Sequence, residues 1–496
     1  MNAVLQAEIT KQVDRLCNEL AARNAEHERI LPYFKRLPGS RALPQAVVSA
    51  KLVNAYLHLQ PMSIATWGKL VVASKLDRLE VNGLTSPSDE ISRAIWEGVW
   101  QENELNMESK LAHRAALLDG RSHATVWPRS QWLFDDQSEP AGTDDGPDVT
   151  FDDCTTMIVE YAEGSRRVRT GALRRWVTDD DEEFINLYRP EGIYKFVSSK
   201  DDTETSDSFK ANGVRWKPRE VAGEPWPLPN PLRVLTNVEL GVNRELQSGR
   251  FTVCRGEFAD ETGLLDRVNL LTFLGMVLAV SMSFPLRVLI GDKIVRDDEG
   301  NEVPPFDAHI GGLAQLEDPK AKLDEYKAAD RGALSIYGEL AQFATSTTTP
   351  RHYFPSEGVI ANVSAETITA FEGPMHATVK ASHQPTLGSG HEEILRIGGL
   401  MLPGAPRLSR RAHVTWADHQ SRSLGEQASA FAQLGGEGGL PWQARAEIAL
   451  GLGQDDLRRY EQDQAGSALA QIIAAARQPA VPSSNGDTPP ALPAVA

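Results

Sequence analysis

From Val268 to Leu286 the sequence carries no charged residue. A run of about 18 apolar residues is long enough to cross a bilayer; in a protein without a membrane it has to be buried. The run also holds Asn269, Thr272, Gly275, Ser281, Ser283 and Pro285, and it is the only one of its kind. A helix buried against protein is therefore the expectation, with a lone membrane span as the alternative. Leu270, Leu271, Phe273, Leu274, Val277, Leu278, Val280 and Met282 do not keep to one helical stripe. A single copy would leave much of that surface open. Burying one Leu or Phe contributes roughly 1.5–3 kcal/mol, so neighbouring copies are the natural cover.

The flanks extend this segment into a projection. Pro285 stops the helix, and Leu286–Val295 with Glu302–Ile310 read as a hairpin joined by Asp297-Asp298-Glu299-Gly300-Asn301. A second helical pattern returns from Asp330 to about Phe343. An isolated hairpin exposes unpaired edges, which strands of neighbouring copies would satisfy.

The 496 residues suffice for several domains, and 41% hydrophobic with 24% charged content is ordinary for a soluble chain. The net charge of −17, from 68 acidic against 51 basic side chains, argues against a tight grip on nucleic acid, which needs clustered Lys and Arg. It is compatible with DNA sliding past a like-charged wall. Cys17, Cys154 and Cys254 show no CxxC spacing, which fits a reducing cytoplasm better than a zinc or disulfide framework. The first residues, Met1-Asn2-Ala3-Val4, lack the basic and apolar regions of a signal peptide.

Taken in order, residues 3–30 predict an amphipathic helix with Leu5, Ile9, Val13, Leu16 and Leu20 on one face, ended by Pro32. A second helix spans 44–59. The segment 70–81 drifts towards strand alternation before Asn82-Gly83 turns the chain. Ser88 is a good N-cap for a helix carrying Ile91, Ile95, Trp96 and Val99. Another helix, Met107–Leu118, is expected to turn Leu111, Ala115 and Leu118 inward and to stop at Gly120. A strand at 123–127 precedes an acidic, Gly- and Pro-rich loop over 137–153. Four strands are expected at 158–161, 167–177, 184–188 and 193–197, then a stiff extended segment from Pro225 to Pro231. Beyond the projection, helices at 364–380 and 391–402, a strand at 413–416 and helices at 423–434, 442–452 and 455–476 lead to a Pro-, Ala- and Ser-rich tail.

Local catalytic motifs are missing. There is no GxxxxGK[ST] loop, and His391-Glu392-Glu393-Ile394-Leu395 has Leu where a zinc-protease helix needs its second histidine. Gly388-Ser389-Gly390 lacks the spacing of a nucleophile elbow, and Gly435-Gly436-Glu437-Gly438-Gly439 reads as a linker. No catalytic residue, metal site or cofactor is expected.

Several phrases, in their order, resemble portal proteins of tailed double-stranded-DNA bacteriophages, particularly the long-tailed phages of actinobacteria. They are the helical 103–109 leading through Leu118-Asp119-Gly120-Arg121-Ser122 into Val126-Trp127-Pro128; Pro229-Asn230-Pro231-Leu232; and the apolar helix ending at Phe284-Pro285 before a hairpin. The last is Thr348-Thr349-Pro350-Arg351-His352-Tyr353-Phe354 followed by Asn362-Val363-Ser364-Ala365-Glu366. The likeness spans roughly residues 30–475.

The resemblance implies an α+β subunit with a wing, two stem helices, a β-hairpin clip and a helical crown, assembled into a ring, usually of twelve copies, at one capsid vertex. By position it implies a wing over 1–258, a first stem helix 259–284, a clip 285–329 and a second stem helix 330–344. A channel loop 345–363, a wing helix and strand 364–422, a crown 423–477 and a disordered tail 478–496 complete it. Leu270, Leu271, Phe273, Leu274, Val277 and Leu278 would pack subunits in the stem. Asp297, Asp298 and Glu299 would form the clip tip, and Arg351, His352 and Tyr353 would lie in the channel loop. The implied partners are the terminase large subunit, a head–tail connector, the major capsid and scaffold proteins, and double-stranded DNA passing through. The place is the virion, with assembly in the host cytoplasm. Two other readings stay open: a membrane-associated assembly factor anchored by 268–286, and an enzyme whose site local motifs do not show.

Overall fold

The computed structural model describes residues 3–36, 59–134, 139–165, 167–199, 208–247, 250–283, 286–290, 322–326, 335–355, 365–417, 424–435, 439–450, 457 and 460. The chain is a mixed α+β protein. It divides into one compact unit of Met1–Glu80 with Ser86–His413 and a second of Val81–Thr85 with Val414–Ala496.

Helix α1 (Ala3–Phe34) is followed by a single turn at Gln60–Ser63, α2 (Trp67–Leu76) and β1 (Val81–Thr85). Then come α3 (Asp89–Ile95), which runs into a π-turn at Trp96–Gln101, and α4 (Leu105–Asp119). The β-rich part comprises β2 (Arg121–Pro128), β3 (Trp132–Phe134), β4 (Pro140–Thr143), β5 (Pro147–Asp153), β6 (Met157–Tyr161), β7 (Arg169–Val177), β8 (Glu183–Arg189) and β9 (Gly192–Ser198). It continues through β10 (Phe209–Ala211), β11 (Val214–Pro218), β12 (Leu228–Pro229), β13 (Asn237–Gly241), β14 (Glu245–Gln247) and β15 (Arg250–Val253). The apolar helix α5 (Thr262–Ser283) precedes β16 (Leu286–Ile290), β17 (Lys322–Tyr326) and α6 (Tyr337–Ser346). Helix α7 (Ala365–Thr378), a π-turn at Val379–His383, α8 (Gln384–Gly399), β18 (His413–Trp416), α9 (Leu424–Gln433) and α10 (Trp442–Leu450) complete the order.

The largest sheet is antiparallel in the order β10-β11-β9-β8-β7-β6, with β12 on the outer edge of β9. Alternation along its strands sends side chains to two apolar layers. Ile158, Leu173, Ile185, Leu187, Tyr194 and Phe196 meet the α1 stripe of Ile9, Val13, Leu16, Cys17 and Leu20. Met157, Val159, Ala172, Tyr188 and Ile193 form the other layer with Leu235. The four expected strands and the expected α1 stripe are thus present. Pro32 does not end α1: the helix runs to Phe34, with Lys35 N–H donating to Leu31 O at 2.8 Å. Near the end of a helix proline forfeits only one backbone hydrogen bond.

A second sheet, β13-β2-β5, is antiparallel and carries α4 and α8. Gly390 lets α8 close on β13, since a Cβ there would sit 2.9 Å from the Leu240 side chain. Ser88 caps α3 through Ile91 N–H, and Gly120 ends α4 at φ 85°, both as expected. The inward face of α4 differs from expectation. Leu111 is 48% exposed, and the buried arc is Leu105, Ser109, Ala112, His113, Ala116 and Leu117 with Leu118. His113 takes an inner position because α8 brings His391 to meet it, with the two Nε2 atoms 2.7 Å apart and Trp100 edge-on to His391. Burial drives the His113 pKa down to about 4, and burial with the nearby His113 drives His391 well below its usual value. Both rings are therefore neutral near pH 7, one donating and the other accepting.

Three further expectations change. The acidic stretch 137–153 is not a plain loop but holds β4 and β5, the latter paired with β2 from Ser122↔Asp153 to Pro128↔Pro147. Asn82 and Gly83 lie within β1 rather than in a turn, because β1 pairs with β18 from the far end of the chain. The segment 67–76 is helical throughout. In the second unit, α9 and α10 pack together, with the Arg445 guanidinium 4.8 Å from the Phe431 ring centroid. Of the expected helix 455–476 only Leu457 and Tyr460 are described, both helical, and the helix 44–58 and tail 478–496 lie outside the described residues.

Candidate functional site

Helix α5 grows out of a charged cluster buried at its base. The segment before it runs hard against the end of α4: a Cβ at Gly256 would sit 1.9 Å from Leu118 O, so only glycine passes. Glu257 then points inward. Its carboxylate accepts from Asn243 Nδ2 at 2.7 Å and from His383 Nε2 at 2.6 Å, and it pairs with Lys75. Lys75 Nζ also donates to Thr347 O at 2.9 Å, at the end of α6. The Lys75 and Glu257 side chains are 2% and 3% exposed, and His383 is fully buried. Burial alone would raise the Glu257 pKa, but the His383 hydrogen bond and the Lys75 charge outweigh it and hold the carboxyl at about 2. One carboxylate thereby fastens α2, the entry to α5, the exit of α6 and the π-turn before α8.

The first turns of α5 are held by α1 as well. Arg29 donates to Thr262 Oγ1 at 2.7 Å and to Ala259 O at 2.9 Å, and the Tyr33 hydroxyl donates to Asp266 at 2.6 Å. Arg267 pairs with Glu339 of α6 at 3.0 Å. Leu265, Val268 and Asn269 are buried, and Asn269 Oδ1 accepts from Ala65 N–H at 3.1 Å. Further along, Phe273 and Val277 are buried with Leu59, Leu270 and Leu274 around them. Leu270, Leu271, Leu274 and Leu278 are only half-buried. By length and composition Ala259–Val280 is apolar enough to cross a membrane, and 33% of that window is buried within the chain.

The hairpin that follows differs from expectation. β16 pairs antiparallel with β17, from Leu286↔Tyr326 to Ile290↔Lys322, so its partner is a strand much later than 302–310. This register sets Leu289 opposite Leu323 and Arg287 opposite Glu325, an apolar and an opposite-charge pair that favour it. The expected return arm 302–310 and the tip residues Asp297, Asp298 and Glu299 lie outside the described residues. The second helix is described over Tyr337–Ser346, with Leu340, Phe343 and Ala344 buried, and residues 330–334 of its expected start lie outside the described residues.

Beyond α6 the chain makes a tight reversal. Thr349 N–H donates to Ala344 O at 2.8 Å and Thr348 N–H to Thr345 O at 3.2 Å, a Schellman closure. The left-handed position of that closure, usually glycine, is Thr348 at φ 51°. A 3₁₀ turn at Arg351–Tyr353 follows. Arg351 donates to Thr345 Oγ1 at 3.0 Å and stays exposed. His352 Nε2 lies 3.6 Å from Glu372, while the Tyr353 hydroxyl donates to Glu372 at 2.8 Å and accepts from Arg78 at 3.0 Å. Arg78 and His376 also reach the Glu372 carboxylate, at 3.3 and 3.4 Å. Burial opposes ionisation of Glu372, but the Tyr353 hydrogen bond and the Arg78 charge keep its pKa below the usual value. Phe354 packs between Trp67 and Phe343.

The three loop residues named from the sequence are therefore neighbours, and two of them are tied to α7. The residues that tie them, Arg78, Glu372 and His376, and the anchors Lys75, Glu257 and His383, have no local signature. Each looks in sequence like any solvated charge on a helix or loop.

No family model matches the sequence, and no curated protein matches it. Among solved structures, the chain is similar to a chain of the neck of an empty gene transfer agent particle computed with C6 symmetry, at 12% identity and TM-score 0.41, over 82% of this chain and 94% of that one. A chain from the neck of the native particle computed with C12 symmetry gives 11% and 0.41, over 86% and 98%. One from the virion of the native particle gives 11% and 0.41, over 86% and 99%. Likeness at that distance fixes neither a family nor a role.

Proposed function

We propose that this chain is a portal-type subunit: a non-enzymatic component of a ring at a capsid vertex through which double-stranded DNA is packaged and ejected. The observation that carries the reading is α5, rigidly anchored at its base by buried charge and half-uncovered along an apolar length. Copies of the same helix in a ring would cover Leu271 and Leu278, which lie two turns apart on one side, and each such leucine would contribute roughly 1.5–3 kcal/mol. The −17 charge of every copy would make the ring strongly negative, suited to passage of DNA rather than retention. Twelve copies, terminase and connector docking on the 285–329 segment, and contact with capsid and scaffold proteins follow the sequence resemblance. Arg351, exposed in the loop after α6, would make transient contact with backbone phosphate.

A membrane would also cover α5, and its length and composition allow that second reading. Negative-stain electron microscopy of the purified full chain without detergent separates the two. Rings with a central hole are expected, and Leu271→Glu with Leu278→Glu should give folded monomers of unchanged circular dichroism. A compact monomer from the unaltered chain overturns the proposal, and rings or solubility only in detergent favour the membrane reading.

A further inference from the structure

Away from α5, three ligand-type side chains from distant parts of the sequence meet beside an open recess. They are His27 on α1, Asp119 at the end of α4, and Cys154 in the turn after β5; their donor atoms all lie within 4.8 Å of one another. His27 Nδ1 is 2.8 Å from Asp119 Oδ1, and the Cys154 Sγ lies within 4.8 Å of the same carboxylate. The recess, about 260 Å³, is lined by His27, Asp119, Asp152 and Asp153 with α4, which contributes Glu108 and Arg114 beside its apolar side chains. A buried acceptor on a side chain lining the same recess is also unused. Asp152 is 5% exposed and lines this recess, and its Oδ2 is buried without a hydrogen-bond partner, while Oδ1 is taken by Arg174 at 2.8 Å. Asp153 is not part of the unsatisfied set, because its Oδ1 accepts from Thr155 and Thr156.

We propose that His27, Asp119 and Cys154 bind one divalent transition metal of the zinc class, with a fourth position open to the recess. Imidazole, carboxylate and thiolate together form a borderline-soft set that suits Zn²⁺ or Co²⁺ in tetrahedral geometry, whereas Mg²⁺ and Ca²⁺ take oxygen ligands. The metal replaces the thiol proton, which leaves to solvent, and the proton on the His27 Nδ1 that faces Asp119, which leaves to solvent from a charged ring or moves by way of solvent to Nε2 in a neutral one. The bound ion would lock the end of α1 to the end of α4 and the turn after β5.

The test uses the full chain, stripped with chelator, titrated with Co²⁺ at neutral pH and then with Zn²⁺. One Co²⁺ per chain is expected, with tetrahedral visible bands and a near-ultraviolet thiolate-to-cobalt band, all displaced by equimolar Zn²⁺. Cys154→Ser should remove the near-ultraviolet band. His27→Ala, at a side chain 19% exposed, should weaken binding by more than the roughly 10–100-fold that losing a merely orienting group costs. If Cys154→Ser does not fold, judged by circular dichroism, His27→Ala alone carries the comparison. Absence of the thiolate band in the unaltered protein, its persistence in Cys154→Ser, or unchanged affinity in His27→Ala overturns the proposal.

Discussion

Replacing Glu257 by Gln keeps the shape and the acceptor oxygen but removes the charge that faces Lys75 inside the protein. The cost follows from the folded-state pKa. A carboxyl held at about 2 in place of 4.5 contributes roughly 3 kcal/mol to stability at neutral pH. That agrees with the roughly 3–5 kcal/mol lost when one partner of a buried ion pair is removed. The stabilisation is fully present above the unfolded pKa of 4.5 and is lost as pH falls towards about 2. Urea unfolding followed by tryptophan fluorescence should therefore show Glu257→Gln about 3 kcal/mol less stable at neutral pH, with the gap narrowing below about 4.5. Lys75→Met combined with Glu257→Gln should cost less than the sum of the single changes by about 1–3 kcal/mol, because it leaves no stranded ammonium. A neutral-pH cost under about 1 kcal/mol, or a gap that does not narrow through that window, would refute the buried-network account.

Two further outcomes test other parts of the fold. His113 and His391 must stay neutral when folded, so stability is present above their usual pKa of 6.5 and falls as pH drops below it, down to about 4 for His113, by up to about 1.4 kcal/mol per pH unit for each ring. His113→Leu with His391→Leu should flatten that slope in urea titrations between those limits, and an unchanged slope would count against the buried pair. Thr348→Gly should raise the unfolding free energy measured in urea by about 1 kcal/mol, since it relieves a β-branched residue at φ 51° against glycine's greater freedom in the unfolded chain. A loss of stability there would mean that the hydrogen-bonded closure does not strain Thr348.

What the sequence alone determined were features written over a few neighbouring residues. The α1 stripe from Ile9 to Leu20, the alternation through β6 to β9, the Ser88 cap, the Gly120 stop and the charge-free stretch of α5 from Val268 onward all follow from side-chain periodicity and terminal hydrogen bonding, which need no distant partner. Segments whose partners are remote were decided by the tertiary structure. β16 pairs with β17 rather than with the nearer arm, Asn82-Gly83 joins a strand because β18 is there to receive it, and α4 turns His113 rather than Leu111 inward because His391 awaits it. The charged cluster around Glu257, the Glu372 tie on Tyr353 and the meeting of His27, Asp119 and Cys154 belong to the same class. Burying a charge is favourable only when its counter-charge arrives in the right place, and that arrival depends on the whole chain.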